Sequence, residues 1–136
     1  MSHEGAAVLD ASALLAYLRG EPGAARVQAA MVRGALISAV NWAETLSKLA
    51  DYGQAPDATA EALQAGGVYQ QLVEVVPFDE PLARETARLR RVTRARGLSL
   101  GDRACLALGR LRALPVLTAD RVWSALPLKM RIVQIR

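Results

Sequence analysis

One cysteine, Cys105, and one histidine, His3, are all the chain has of either residue, and His3 sits at an N-terminus expected to be mobile. A disulfide needs two cysteines, a structural zinc site needs several Cys or His ligands, and a Ser–His–Asp triad needs a held histidine, so this composition argues against all three. Aromatic residues make up only 4%, which leaves little for a base-stacking surface. No stretch approaches the roughly 18 uninterrupted apolar residues of a membrane span, and Met1–Glu4 has no basic region of the kind that opens a signal peptide. A cytoplasmic protein without membrane attachment is expected. A glycine-rich phosphate loop is also missing, which weighs against nucleotide-binding functions. What remains for chemistry is carboxylate, hydroxyl and guanidinium.

The 136 residues, 52% of them hydrophobic, suffice for one domain with its own core, and no linker, repeat or low-complexity tract divides residues 1–136. The formal charge is +4, with Lys48 and Lys129 the only lysines among 17 basic residues. A guanidinium grips phosphate in bidentate fashion, so the arginine bias suits a nucleic-acid substrate. Arginine-rich genomic coding produces the same count.

Apolar segments and breakers alternate regularly along the chain. Strands are expected at 5–9, 35–38, 72–76, 115–118 and 130–135, with helices at 11–18, 24–33, 41–52, from Pro56 to about Gly66, 80–96 and 99–112. In the helix of 80–96, Leu82, Ala83, Thr86, Leu89 and Val92 are expected to face the core. Residues 120–126 read as a turn with a short helical piece. Strands alternating with helices imply a three-layer α/β/α sandwich with a mainly parallel sheet. Ligands of such sheets bind outside the carboxyl ends of the strands.

Four acids stand at those ends or on the helix starts that follow: Asp10, Glu44, Asp102 and Asp120. Each also has a plainer use. Asn41-x-x-Glu44 and Ser99-x-x-Asp102 match capping boxes, Asp10 can cap the first helix, and Asp120 can be an ordinary turn residue. Glu61, Glu74, Glu80 and Glu85, by contrast, read as solvated surface. If the four acids gather at one edge, mutual repulsion should raise at least one carboxyl pKa, and a hard divalent cation is their natural partner.

Taken in order, Val8-Leu-Asp10-Ala-Ser12, Ser38-x-x-Asn41-x-x-Glu44, Gly101-Asp102-x-x-Cys105-Leu-Ala107 and Leu117-Thr118-Ala-Asp120-x-x-Trp123 resemble the PIN-domain nucleases, most closely the VapC-like toxins of toxin–antitoxin pairs. The resemblance runs over essentially the whole chain. Asn41 departs from the threonine often found there, and Arg103 is the basic residue after the third acid. The resemblance implies a Mg²⁺- or Mn²⁺-dependent endoribonuclease in which Asp10, Glu44, Asp102 and Asp120 are the catalytic, metal-binding quartet. Ser12 and Thr118 would hydrogen-bond the carboxylates or metal-bound water. It also implies a cognate antitoxin whose peptide lies along a groove leading to the acids, and a homodimer formed through helices.

Several residues keep two readings. Ser12 and Asn41 are either helix caps or supports for a carboxylate, and Thr118 is either a support or simply a strand end. Cys105, Trp42 and Trp123 read as packing residues. The arginines at 84, 88, 90, 91, 94, 96 and 103 form either a solvated helix face or, for Arg94, Arg96 and Arg103 near Asp102, weak contacts to RNA phosphates. Three functions follow: a toxin ribonuclease, a PIN nuclease that matures RNA without an inhibitor, and a non-catalytic α/β binding module. The last is poorly supported, since all four acids are present.

Overall fold

The structure, a computed structural model, describes residues 5–136; Met1–Glu4, including His3, lie outside them. Five strands, β1 (Ala7–Leu9), β2 (Ala35–Ser38), β3 (Val73–Val76), β4 (Val116–Thr118) and β5 (Ile132–Gln134), form a wholly parallel sheet in the order β3-β2-β1-β4-β5. Six helices connect and cover it: α1 (Ala11–Arg19), α2 (Ala24–Arg33), α3 (Ala39–Asp51), α4 (Pro56–Ala65), α5 (Glu80–Thr93) and α6 (Leu100–Arg112). No helix among the described residues is long and apolar enough to cross a membrane.

Strand side chains alternate between faces, and this alternation divides the core in two. Ala7, Leu9, Ala35, Ile37 and Leu117 pack under α1 and α2 with Leu14, Val27 and Met31. Val8, Leu36 and Val116 pack on the other face with Leu82 and Leu89 of α5, Leu106 and Leu108 of α6, and Trp123. β1 is buried on both faces, as an all-apolar central strand of a parallel sheet should be. α3 touches α1, α4 and α6. This is the expected three-layer sandwich.

The differences from the expected elements have local causes. α3 begins two residues early because Ser38, whose Oγ accepts from the Val40 N–H at 3.2 Å, is its cap. Asn41 is therefore inside the helix, and the capping box assigned to Asn41 and Glu44 does not form. α5 stops at Thr93 and continues as a 3₁₀ turn over Arg94–Arg96, closed by Gly97 in the left-handed region (φ 65°) that a side chain would strain. Ala83 and Val92 face solvent, whereas Glu85, read from the sequence as solvated, is buried between α5 and α6. Arg88 (2.7 Å) and Arg110 (3.3 Å) both pair with it there, offsetting the cost of burial.

The chain runs from β1 through β2 to β3 on one side, then returns to place β4 on the other side of β1. The strand order reverses at β1 and β4, so a crevice opens outside their carboxyl ends.

Candidate active site

Asp10 follows the last residue of β1 and caps α1, its Oδ1 accepting from the Ala13 N–H at 2.8 Å. The capping role that the sequence offered for Asp10 is therefore present. Ser12 Oγ donates to the same Oδ1 at 2.7 Å, and Thr118 Oγ1, at the end of β4, donates to Oδ2 at 2.6 Å. Each hydroxyl is fixed in turn: Ser12 Oγ accepts from the Ala119 N–H (2.9 Å), and Thr118 Oγ1 accepts from the Asp120 N–H (3.0 Å). Neither hydroxyl is a helix cap or a spare strand end; together they hold the Asp10 carboxylate across the β1–β4 seam.

Burial pushes the Asp10 carboxyl up to about 6, against the lowering effect of the hydrogen bonds from Thr118, Ser12 and Ala13, and the charge of Asp102 adds a smaller upward push. A raised carboxyl was expected from repulsion; the leading cause is desolvation instead.

Glu44 is placed by Asn41. The buried Asn41 Nδ2 donates to Glu44 Oε1 at 2.7 Å and to the Gly101 carbonyl at 2.9 Å, so one amide clamps α3 onto the first turn of α6. The Glu44 carboxylate lies directly against Gly101 Cα, where a side chain would collide with it. Asp102 is next along and forms a complete capping box with Ser99: Asp102 Oδ2 accepts from the Ser99 N–H at 3.0 Å, and Ser99 Oγ from the Asp102 N–H at 3.1 Å. That leaves Oδ1 of Asp102 without a hydrogen bond among the described residues.

Cys105, one turn beyond Asp102, is buried, and its thiol is pushed well above the ordinary value by that burial and then by the charges of Asp10, Asp102 and Glu44. It is a core residue, as its small apolar side chain suggested. Asp120 stands slightly apart. It is exposed, its Oδ1 caps the 3₁₀ turn Arg121–Ala125 through the Val122 N–H at 3.0 Å, and Thr118 ties its backbone to Asp10.

Among the described residues no three Cys, His, Asp or Glu side chains lie close enough together to hold a metal ion as they stand. The donor set still fits a hard cation of the Mg²⁺ type, which keeps several waters and uses only one or two carboxylates directly. The donors are all oxygen, and Oε2 of Glu44, Oδ1 of Asp102 and Oδ2 of Asp120 take no hydrogen bond among the described residues.

The arginines divide. Arg103, expected at the mouth, turns inward: it is buried and its Nη1 donates to the Thr86 carbonyl at 3.0 Å, tying α6 to α5. A guanidinium so placed does not contact RNA. Arg84 and Arg88 pair with Glu80 and Glu85, whereas Arg94 and Arg96 stay exposed on the 3₁₀ turn that leads into α6. Trp42 packs edge-on against Tyr69 (5.2 Å between centroids) and Trp123 is fully buried, as packing residues. Sequence reasoning missed Lys48, which borders the site on the α3 side together with Glu44. The i, i+4 spacing of the two on α3 was the signal available.

Gly101→Ala tests the clamp. Its methyl group would displace the Glu44 carboxylate, so the metal-dependent cleavage that the sequence resemblance implies should fall by about tenfold or more in this variant, as when groups supporting metal ligands are lost. An unchanged rate would show that Glu44 has no part in the site.

A family profile for the PIN domain matches residues 7–128, and the chain therefore belongs to the PIN domain family. No curated protein sequence matches the chain. Among solved structures it is similar to a toxin–antitoxin complex from Klebsiella pneumoniae, at 21% identity and TM-score 0.73 over 96% of this chain and 98% of that one. FitAcB from Neisseria gonorrhoeae is similar at 20% identity and TM-score 0.69, over 94% and 96%. VapC20 of Mycobacterium tuberculosis, described as a sarcin–ricin loop cleaving toxin, is similar at 18% identity and TM-score 0.69, over 88% and 94%. At these identities the likeness establishes the fold.

Proposed function

We propose that the chain is a Mg²⁺- or Mn²⁺-dependent endoribonuclease, the toxin of a toxin–antitoxin pair, acting in the cytoplasm. The observation that carries the reading is the arrangement at the strand-order reversal, where Thr118 links Asp10 to the backbone of Asp120 and the Glu44 carboxylate lies against Gly101 beside Asp102. Asp10, Glu44, Asp102 and Asp120 would hold the cation, which when bound supplies an activated water and neutralises charge on the phosphate. The chain's own work is positioning. Ser12 and Thr118 fix both oxygens of Asp10, and Asn41 fixes Glu44 while locking α3 to α6. Arg94 and Arg96, exposed on the 3₁₀ turn, would take backbone phosphates without reading sequence.

The partner calls rest on the resemblance together with the toxin–antitoxin complexes among the similar structures. Val32 on α2, 74% exposed, gives a helix-mediated homodimer an apolar contact. Light scattering and co-purification with the neighbouring gene product check both; a strict monomer with no small partner would favour RNA maturation instead.

The activity itself is tested with purified protein and labelled single-stranded or looped RNA. Cleavage should appear with Mg²⁺ or Mn²⁺ and stop with EDTA. Undiminished cleavage in chelator would overturn the metal mechanism.

A further inference from the structure

Beside Ser12 the surface carries a small notch of about 170 Å³, into which Arg19 of α1, Lys48 of α3 and Arg136 project. Three cations face it against one acid, Glu21, and that acid is shared, lying 3.6 Å from both Arg19 and Arg136. The Arg19 guanidinium is held 3.7 Å over the Tyr52 ring, so it is positioned before any ligand arrives. Lys48 forms no ion pair among the described residues. With Leu15 it also lines the larger groove between α1 and α3, which holds Asp51 and reaches Glu44, so the notch and the groove adjoin at Lys48.

We infer that this notch is a phosphate subsite, in which Arg19, Lys48 and Arg136 seat a backbone phosphate of the RNA strand adjoining the bond held at the acids. The inference rests on the ribonuclease reading. The notch is smaller than the roughly 300 Å³ of sites that take whole small molecules, which suits a phosphate group with a few waters rather than a complete nucleotide. A polymer with phosphates at regular spacing can occupy both places at once: one phosphate at the acids, where a cation neutralises it, and a neighbour in the cationic notch. Ser12 stands between them, hydrogen-bonded to Asp10 while lining the notch. Lys48 is thus a positioning residue, setting where the strand lies without touching the reacting atoms.

The full-length chain in EDTA is titrated with a fluorescent oligouridylate over a range of salt, and the metal-dependent cleavage of the same oligomer is measured separately. Lys48→Gln should weaken binding about fivefold and lower the salt slope by about 0.7, the value of one single-strand phosphate contact. It should raise KM with little change in kcat, and Lys48→Arg should restore both. Lys129→Gln, far from Ser12 at the opposite end of the sheet, serves as control and should bind like the native chain. Native-like affinity and salt slope in Lys48→Gln, or an equal loss in Lys129→Gln, would overturn the subsite even if RNA is cleaved. Binding that depends on Lys48 with no cleavage under any metal would leave the notch standing and overturn the ribonuclease reading. A polyglutamate peptide that binds more tightly than the oligouridylate, and only when Lys48 is present, would reassign the notch to an acidic protein segment.

Discussion

Asp10→Asn and Asp102→Asn should each lower the cleavage rate by on the order of 10²–10³-fold while the far-ultraviolet circular dichroism stays native. A cation's stabilisation of developing charge is worth several kcal/mol, and about 1.4 kcal/mol corresponds to a tenfold change in rate. Asparagine keeps the shape and the capping oxygen: at position 102 its Oδ1 can still accept from the Ser99 N–H, so the first turn of α6 survives. What is lost is the charge. Asp120→Asn should cost less, because Asp120 is exposed and is not among the acids that act on the Cys105 thiol. Wild-type turnover in Asp102→Asn would reduce that residue to the helix cap it also is.

The second large effect is on stability, and its direction is counterintuitive. The Asp10 carboxyl lies at about 6 in the folded chain, above its ordinary 3.8. Between those values the folded state keeps a proton that the unfolded chain has released, so protons favour folding. The contribution is fully present below about pH 4, falls as pH rises, and is gone above about pH 6. A shift of about two units corresponds to about 3 kcal/mol lost at neutral pH without metal. Asp10→Asn removes that charge, so the metal-free variant should melt at higher temperature than the native chain at pH 7.5, with the gap closing toward pH 4. Added Mg²⁺ should raise the native melting temperature and leave the variant's unchanged. Parallel melting curves from pH 4 to 7.5 would mean that Asp10 is not buried as a lone carboxylate.

Strand and helix positions were legible because apolar runs, glycines and prolines mark them, and parallel order followed from their alternation. The acids were legible from their place at the ends of those runs. What could not be read was which side chains share one space. Arg103 and Arg94 are both arginines close to Asp102 in sequence, yet the rotation of α6 turns the first toward α5, whereas the second lies on the separate 3₁₀ turn after α5 and stays outside. Glu85 looked solvated for the same reason: its partner Arg110 is 25 residues away and becomes visible only once α5 and α6 are side by side. Asn41 kept two readings because Ser38, equally good at starting a helix, stands three residues earlier and the sequence does not say which of the two is the cap.

The bond between Thr118 and Asp10 spans 108 residues. β4 must slide in beside β1 before it can form, and pairing of such distant segments is among the slower events in folding. During synthesis, at about 5–20 residues per second, Asp10 and Glu44 are made well before the strand that completes their crevice, and Asp102 shortly before it. A chain cut short before Val116 would carry three of the four acids and no assembled crevice, so the candidate site is completed only once β4 has been made.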